Sequence, residues 1–67
     1  MTNTIRIERA IMDITQAQLA DLVKVSRQTI NAMESNKYVP SAVLAMKIAK
    51  VFEKSVEEIF ALSEDDF

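Results

Sequence analysis

Four hydroxyl residues divide this chain into segments. Thr15, Ser26, Ser41 and Ser55 each stand immediately before a stretch rich in helix formers. A side-chain oxygen there can accept from a backbone N–H that the first helical turn leaves unpaired. Two of the four have a reciprocating residue three positions on, Gln18 after Thr15 and Glu58 after Ser55, which is the pattern of a capping box. Glu57 and Glu58 also put negative charge where a helix dipole favours it. Between the caps the apolar spacing is helical. Leu19, Leu22 and Val23 fall at i, i+3, i+4, as do Val56, Ile59 and Phe60, while Leu44, Ile48, Val51 and Phe52 share a face. The pattern predicts helices over 4–12, 16–23, 27–34, 42–52 and 56–61. The links are short except for the polar segment Ser35–Ser41, which holds the only proline. The expected fold is all-α, a compact five-helix bundle, with residues 62–67 as an acidic tail or a short strand.

A chain of 67 residues is near the size at which an apolar core alone is marginally stabilising, and disulfides, metals or association are the usual supplements. The sequence contains no Cys and no His, which removes disulfides, thiolate nucleophiles, Cys/His zinc sites and imidazole bases. Association with a second chain remains. Without those side chains, and without clustered pocket carboxylates, nothing in the sequence resembles a catalytic constellation. An enzyme is not expected, and no metal, cofactor or small-molecule effector is implied. No apolar run approaches the ~20 residues that cross a bilayer, and no signal-peptide pattern opens the chain, so the expectation is a cytoplasmic protein with no membrane partner.

The formal net charge of −2 argues against nucleic acid until its distribution is considered. Residues 1–52 carry seven Lys/Arg against four acids, whereas residues 53–67 carry Lys54 against six acids. Such asymmetry is a cue to partners, although an acidic end can also simply solvate a tail.

The link between the second and third expected helices is the most informative. Helix 16–23 ends at Lys24-Val25 and Ser26 caps the next helix at once. So short a link forces a steep crossing, the geometry of a DNA-binding helix-turn-helix, and Ala20 supplies the small residue that close approach needs. A plain helical hairpin shares this spacing. On a helical wheel Ile30 and Met33 mark the buried side of the third helix, leaving Arg27, Gln28, Asn31, Ala32 and Ser35 on the outer side. Gln and Asn can bind adenine in a bidentate manner in the major groove, and Arg can do so with guanine. An ordinary solvated face more often mixes Glu with Lys.

The run from Thr15 to Glu34 closely resembles the helix-turn-helix of the Cro/phage-repressor (Xre) family, and Asn36–Ser41, Ala45–Ala49 and Val56–Phe60 extend the likeness over nearly the whole chain. It implies a lambda-repressor-like DNA-binding domain over residues 1–61, with the motif at 16–35. By the same resemblance, Arg27 and Gln28 read bases, with Thr29 and Asn31 behind them and Ala32 offering a methyl. Gln16, Ser26, Lys37 and Tyr38 hold the DNA backbone. Leu19, Ala20, Val23, Val25, Ile30 and Met33 form the core of the motif, and Arg9 and Glu34 form a structural salt bridge. The implied function is sequence-specific binding of double-stranded DNA by a homodimer on a palindromic operator, most simply as a repressor. Ile59, Phe60, Leu62 and Phe67, with Val43 and Met46, are the candidate dimer surface, and at least one of Ile59 and Phe60 is expected to close the monomer core instead. An antitoxin would use the same chemistry; a protein-interaction domain that has lost DNA binding is the alternative of another class.

Two departures from the family pattern stand out. The sequence has no glycine, although the family usually places one at the positions of Asp13, Lys24, Asn36 and Glu53, helix ends where the chain turns left-handed. Either these turns are reshaped or they are strained. Glu8 also replaces a usual leucine, and the first helix is therefore expected to turn its buried face toward Ile7 and Ile11.

Overall fold

The computed structural model describes all of residues 1–67, and in it every one of the four hydroxyls caps a helix. Thr15 Oγ1 accepts from the Gln18 amide at 3.0 Å while Gln18 Oε1 accepts from the Thr15 amide at 2.8 Å, and α2 runs Gln16–Val23. Ser26 Oγ accepts from the Thr29 amide at 3.2 Å and opens α3, Arg27–Glu34. Ser41 Oγ accepts from Leu44 and opens α4, Ala42–Val51. The Ser55–Glu58 box is reciprocal and opens α5, Val56–Ile59. The first helix, α1 (Ile5–Met12), has no side-chain cap from Thr4; Asn3 Oδ1 accepts from the Ile5 amide instead.

Two short strands complete the architecture. β1 (Thr2–Asn3) pairs antiparallel with β2 (Phe60–Ala61), Thr2 opposite Ala61 and Asn3 opposite Phe60. The fifth helix thus ends at Ile59 rather than 61, because Phe60 adopts extended backbone angles and buries its ring as a strand residue. The C-terminal strand lies before residue 62, not after it. Ser63 and Asp66 then close a 3-10 turn over Glu64–Asp66, with Asp66 Oδ2 accepting from the Ser63 amide at 2.8 Å. Asn3 Nδ2 donates to the Met33 carbonyl at 2.8 Å, so the small sheet also satisfies an acceptor in the last turn of α3.

One core joins all five helices. Ile5, Leu19, Ile30, Met33 and Ile48 are completely buried, with Val23, Ile59 and Phe60 around them. Leu22 shares the helical spacing of Leu19 but is 58% exposed. One expectation fails here. The first helix is not turned toward Ile7 and Ile11, which are exposed, and instead buries Ile5 and Glu8. The reason is electrostatic: Glu8 Oε2 accepts from Lys54 Nζ at 2.8 Å, and Arg9 on the same helix is held by Glu34. Rotating the helix toward the isoleucines would break both pairs.

All four glycine-less helix ends are left-handed. Asp13, Lys24, Asn36 and Glu53 have φ of 57°, 61°, 60° and 55°. In each case the next amide reaches five residues back, Ile14 to Arg9, Val25 to Ala20, Lys37 to Ala32 and Lys54 to Ala49, at 2.9–3.0 Å, a Schellman closure of the helix. Of the two alternatives, strain is the one realised. Lys24 and Glu53 each bear a cost on the order of 1 kcal/mol for that conformation, which Asn36 and, to a lesser degree, Asp13 tolerate. Those backbone bonds, with Ile14 and Val25 packed against the core, hold it in place.

Candidate nucleic-acid interface

The site is built on α3, and its position follows from packing on α2. Leu19, Ala20 and Val23 from α2 meet Ile30 and Met33 from α3 in the core. Burial of those two α3 residues forces the opposite side outward, so Arg27, Gln28 and Asn31 are exposed and Thr29 and Ala32 are half-buried. At the start of the helix, Ser26 Oγ and Thr29 Oγ1 lie 2.9 Å apart, one hydroxyl donating to the other. These two hydroxyls therefore rigidify the first turn as well as facing the surface.

The only carboxylate on α3 is withdrawn from that surface. Glu34 has a side chain 1% exposed and sits between three helices. Arg9 Nε donates to its Oε2 at 2.6 Å and Arg9 Nη2 to its Oε1 at 2.9 Å. Arg9 Nη1 continues to the Ile14 carbonyl at 3.1 Å. Gln16 Nε2 donates to Glu34 Oε1 at 3.1 Å and to Asn31 Oδ1 at 3.3 Å, and Arg6 Nε lies 3.7 Å from the same carboxylate. Burial works to raise the Glu34 pKa, but the hydrogen bonds from Arg9 and Gln16 and the charges of Arg9 and Arg6 outweigh it and hold the carboxyl below its usual range. The same hydrogen bond from Arg9 raises the guanidinium pKa against the effect of burial. Bidentate pairing of this kind fixes orientation as well as charge.

Two consequences were not evident from the residues alone. Gln16, read as a backbone contact, is also the strut between α2 and α3. Its hold on Asn31 Oδ1 leaves the Asn31 amide nitrogen, a donor, as the group free to face a ligand. Arg6, counted only in the charge balance, joins the cluster; its i, i+3 spacing from Arg9 was the signal that could have placed it there. Lys37 and Tyr38 are exposed in the segment that follows the Asn36 turn. The surface formed by α3 and this segment thus carries Arg27, Lys37, amides and hydroxyls, with its one acid neutralised inside.

The structure divides the candidate dimer residues. Ile59 and Phe60 are 2% and 7% exposed in the single chain, so they belong to its core and have little surface to give a second copy. Both are needed there because α5 and β2 close the bundle over α4. Leu62, Phe67, Val43 and Met46 are exposed. No helix is long and apolar enough to cross a membrane.

Comparison with known proteins agrees with this geometry. The helix-turn-helix family description matches residues 5–59. An uncharacterized HTH-type transcriptional regulator of Methanocaldococcus jannaschii is 47% identical over 66 residues, covering 98% of this chain and all of the relative. The uncharacterized HTH-type transcriptional regulator YgzD of Bacillus subtilis is 41% identical, again covering 98% of this chain and all of the relative. One from Methanothermobacter thermautotrophicus is 44% identical over 97% of this chain and 96% of its own length. With the α2–α3 unit in place and more than half of the chain matched, this protein belongs to the Xre-like helix-turn-helix family.

Proposed function

We propose that the protein binds double-stranded DNA sequence-specifically and regulates transcription, as a homodimeric repressor on a palindromic operator. The observation that carries this reading is the composition of the exposed side of α3. Arg27, Gln28 and Asn31 are exposed, and the one carboxylate that would repel phosphate is buried in a bidentate ion pair. Arg27 and Gln28 are assigned to base edges, where bidentate contacts discriminate among base pairs. Asn31 and Thr29 stand behind them. Gln16, Ser26, Lys37 and Tyr38 are assigned to the phosphate backbone, which positions the helix without reading sequence. The relatives named as transcriptional regulators point to the same class of activity.

One recognition helix spans too few base pairs for specificity in a genome, and pairing two domains on half-sites about one DNA turn apart solves that problem. The repressor role follows most simply from occlusion of polymerase by such a dimer. A cytoplasmic location is the natural one for this activity.

Selection of bound sequences from random duplexes tests the reading directly, and a palindromic consensus is the expected result. On that consensus, Gln28→Ala should lose about 1–3 kcal/mol and relax preference at one base pair. Lys37→Ala should weaken specific and random DNA alike and flatten the salt dependence. Equal losses by both variants on both kinds of DNA would overturn the assignment of readout.

A further inference from the structure

The side of the molecule formed by the end of α2 and the outer face of α4 lies outside the proposed DNA surface. It holds a shallow groove of about 280 Å³ lined by Leu22, Val23, Lys24, Lys47, Lys50 and Val51. Lys47 Nζ reaches the Val23 carbonyl at 3.5 Å, which places its charge against the C-terminal end of α2. None of the three lysines is in an ion pair. Further along α4 lie Val43 and Met46, at i, i+4 spacing from Lys47 and Lys50 respectively and each 64% exposed. This surface combines exposed apolar side chains with unpaired positive charge. Phosphate alone would satisfy the lysines and leave Leu22, Val43 and Met46 in water.

The C-terminal segment has the opposite character. Leu62 and Phe67 are 65% and 94% exposed and flank Glu64, Asp65 and Asp66. Asp66 is taken up by the Met1 ammonium at 2.9 Å and by Ser63, which fixes the turn. Glu64 and Asp65 have no cation. An apolar and acidic segment and an apolar and cationic groove on one chain are complementary in both respects.

We infer that residues 62–67 of one copy dock in the Lys24/Lys47/Lys50 groove of a second copy, with Leu62 and Phe67 against the apolar floor and Glu64 and Asp65 facing the lysines. The inference rests on the homodimer reading and specifies its contacts. About a twofold axis the exchange is reciprocal and closes the dimer. It also places the acidic segment against protein, where it neutralises lysines rather than repelling DNA.

Sedimentation equilibrium of the full chain tests this with surface substitutions that leave Lys47 in its capping position. Lys24→Glu/Lys50→Glu and, separately, Glu64→Lys/Asp65→Lys should each raise the dimer Kd by about tenfold or more at low salt, and combining all four should largely restore it. The wild-type Kd should rise with ionic strength. Circular dichroism of each variant separates loss of association from loss of fold, and Phe67→Ala gives a charge-neutral check that should also weaken the dimer. A wild-type dimer indifferent to all of these changes overturns the docking while leaving the homodimer intact. A protein monomeric at every concentration overturns the homodimer itself. Loss of DNA affinity by Lys24→Glu/Lys50→Glu with an unchanged dimer Kd reassigns the lysines to phosphate and overturns the docking.

Discussion

Two glutamates are withdrawn from water in this molecule, and they are held in different ways. Glu34 closes the recognition helix onto α1 and α2 through a bidentate guanidinium and an amide, with a second arginine at the rim. Glu8 lies on the buried side of α1 and has one partner, the half-exposed Lys54, 46 residues away in sequence. A buried carboxylate with planar, multiple donors is orientational: it permits one arrangement of three helices. A carboxylate held by a single flexible ammonium satisfies its charge and specifies little. The difference places the more demanding network where a small rotation of α3 would move Arg27 and Gln28 relative to a base pair.

That contrast can be broken by substitution. Arg9→Ala should cause the largest loss of stability, about 3 kcal/mol or more in urea denaturation, because it leaves the Glu34 charge buried without its main counter-charge. The loss should depend on pH. The folded-state pKa of Glu34 lies below its unfolded value, so the wild-type contribution is complete above the unfolded value and disappears as pH falls through the folded one. The gap between wild type and Arg9→Ala should therefore narrow in denaturation series below about pH 4. A gap of constant size across that range would mean that Arg9 acts by packing rather than by charge.

Glu8→Leu sharpens the other half of the comparison. The substitution removes a buried charge, fills the space with apolar atoms and frees a lysine that water can solvate. Stability within about 1 kcal/mol of wild type, or above it, is expected by thermal or urea unfolding. A loss as large as that of Arg9→Ala would show the two networks to be equivalent. Lys24→Gly touches neither carboxylate and sets the scale of backbone effects. It should raise stability by at most about 1 kcal/mol by relieving the left-handed residue, and an unchanged or lowered melting temperature would remove strain from the account.

These residues also show which parts of the structure can be read in sequence. The caps at Thr15, Ser26, Ser41 and Ser55 were legible because each is a contact between residues three apart. The outer face of α3 was legible because Ile30 and Met33 fix the helix by periodicity alone. The orientation of α1 was not, since Ile7 and Ile11 look like a core face until Lys54 is known to lie beside Glu8. The end of α5 was misread for a related reason: Phe60 continues the i, i+4 spacing from Val56, and only pairing with Asn3 at the other end of the chain makes it a strand residue. The same closure puts both Ile59 and Phe60 in the core, where at least one was expected, and leaves neither as surface for a partner. The second role of Gln16 needed the third dimension in the same way, because its acceptors are on α3.

The glycine-free helix ends also affect the denatured ensemble. At Asp13, Lys24, Asn36 and Glu53, a side chain narrows the conformations open to the disordered chain, where glycine would widen them. Ordering each of these positions therefore costs less entropy than ordering a glycine, and this offsets part of the left-handed penalty in the folded state. Replacing all four by glycine should relax the turns and loosen the denatured chain together, so the combined gain should fall well short of four times the conformational penalty.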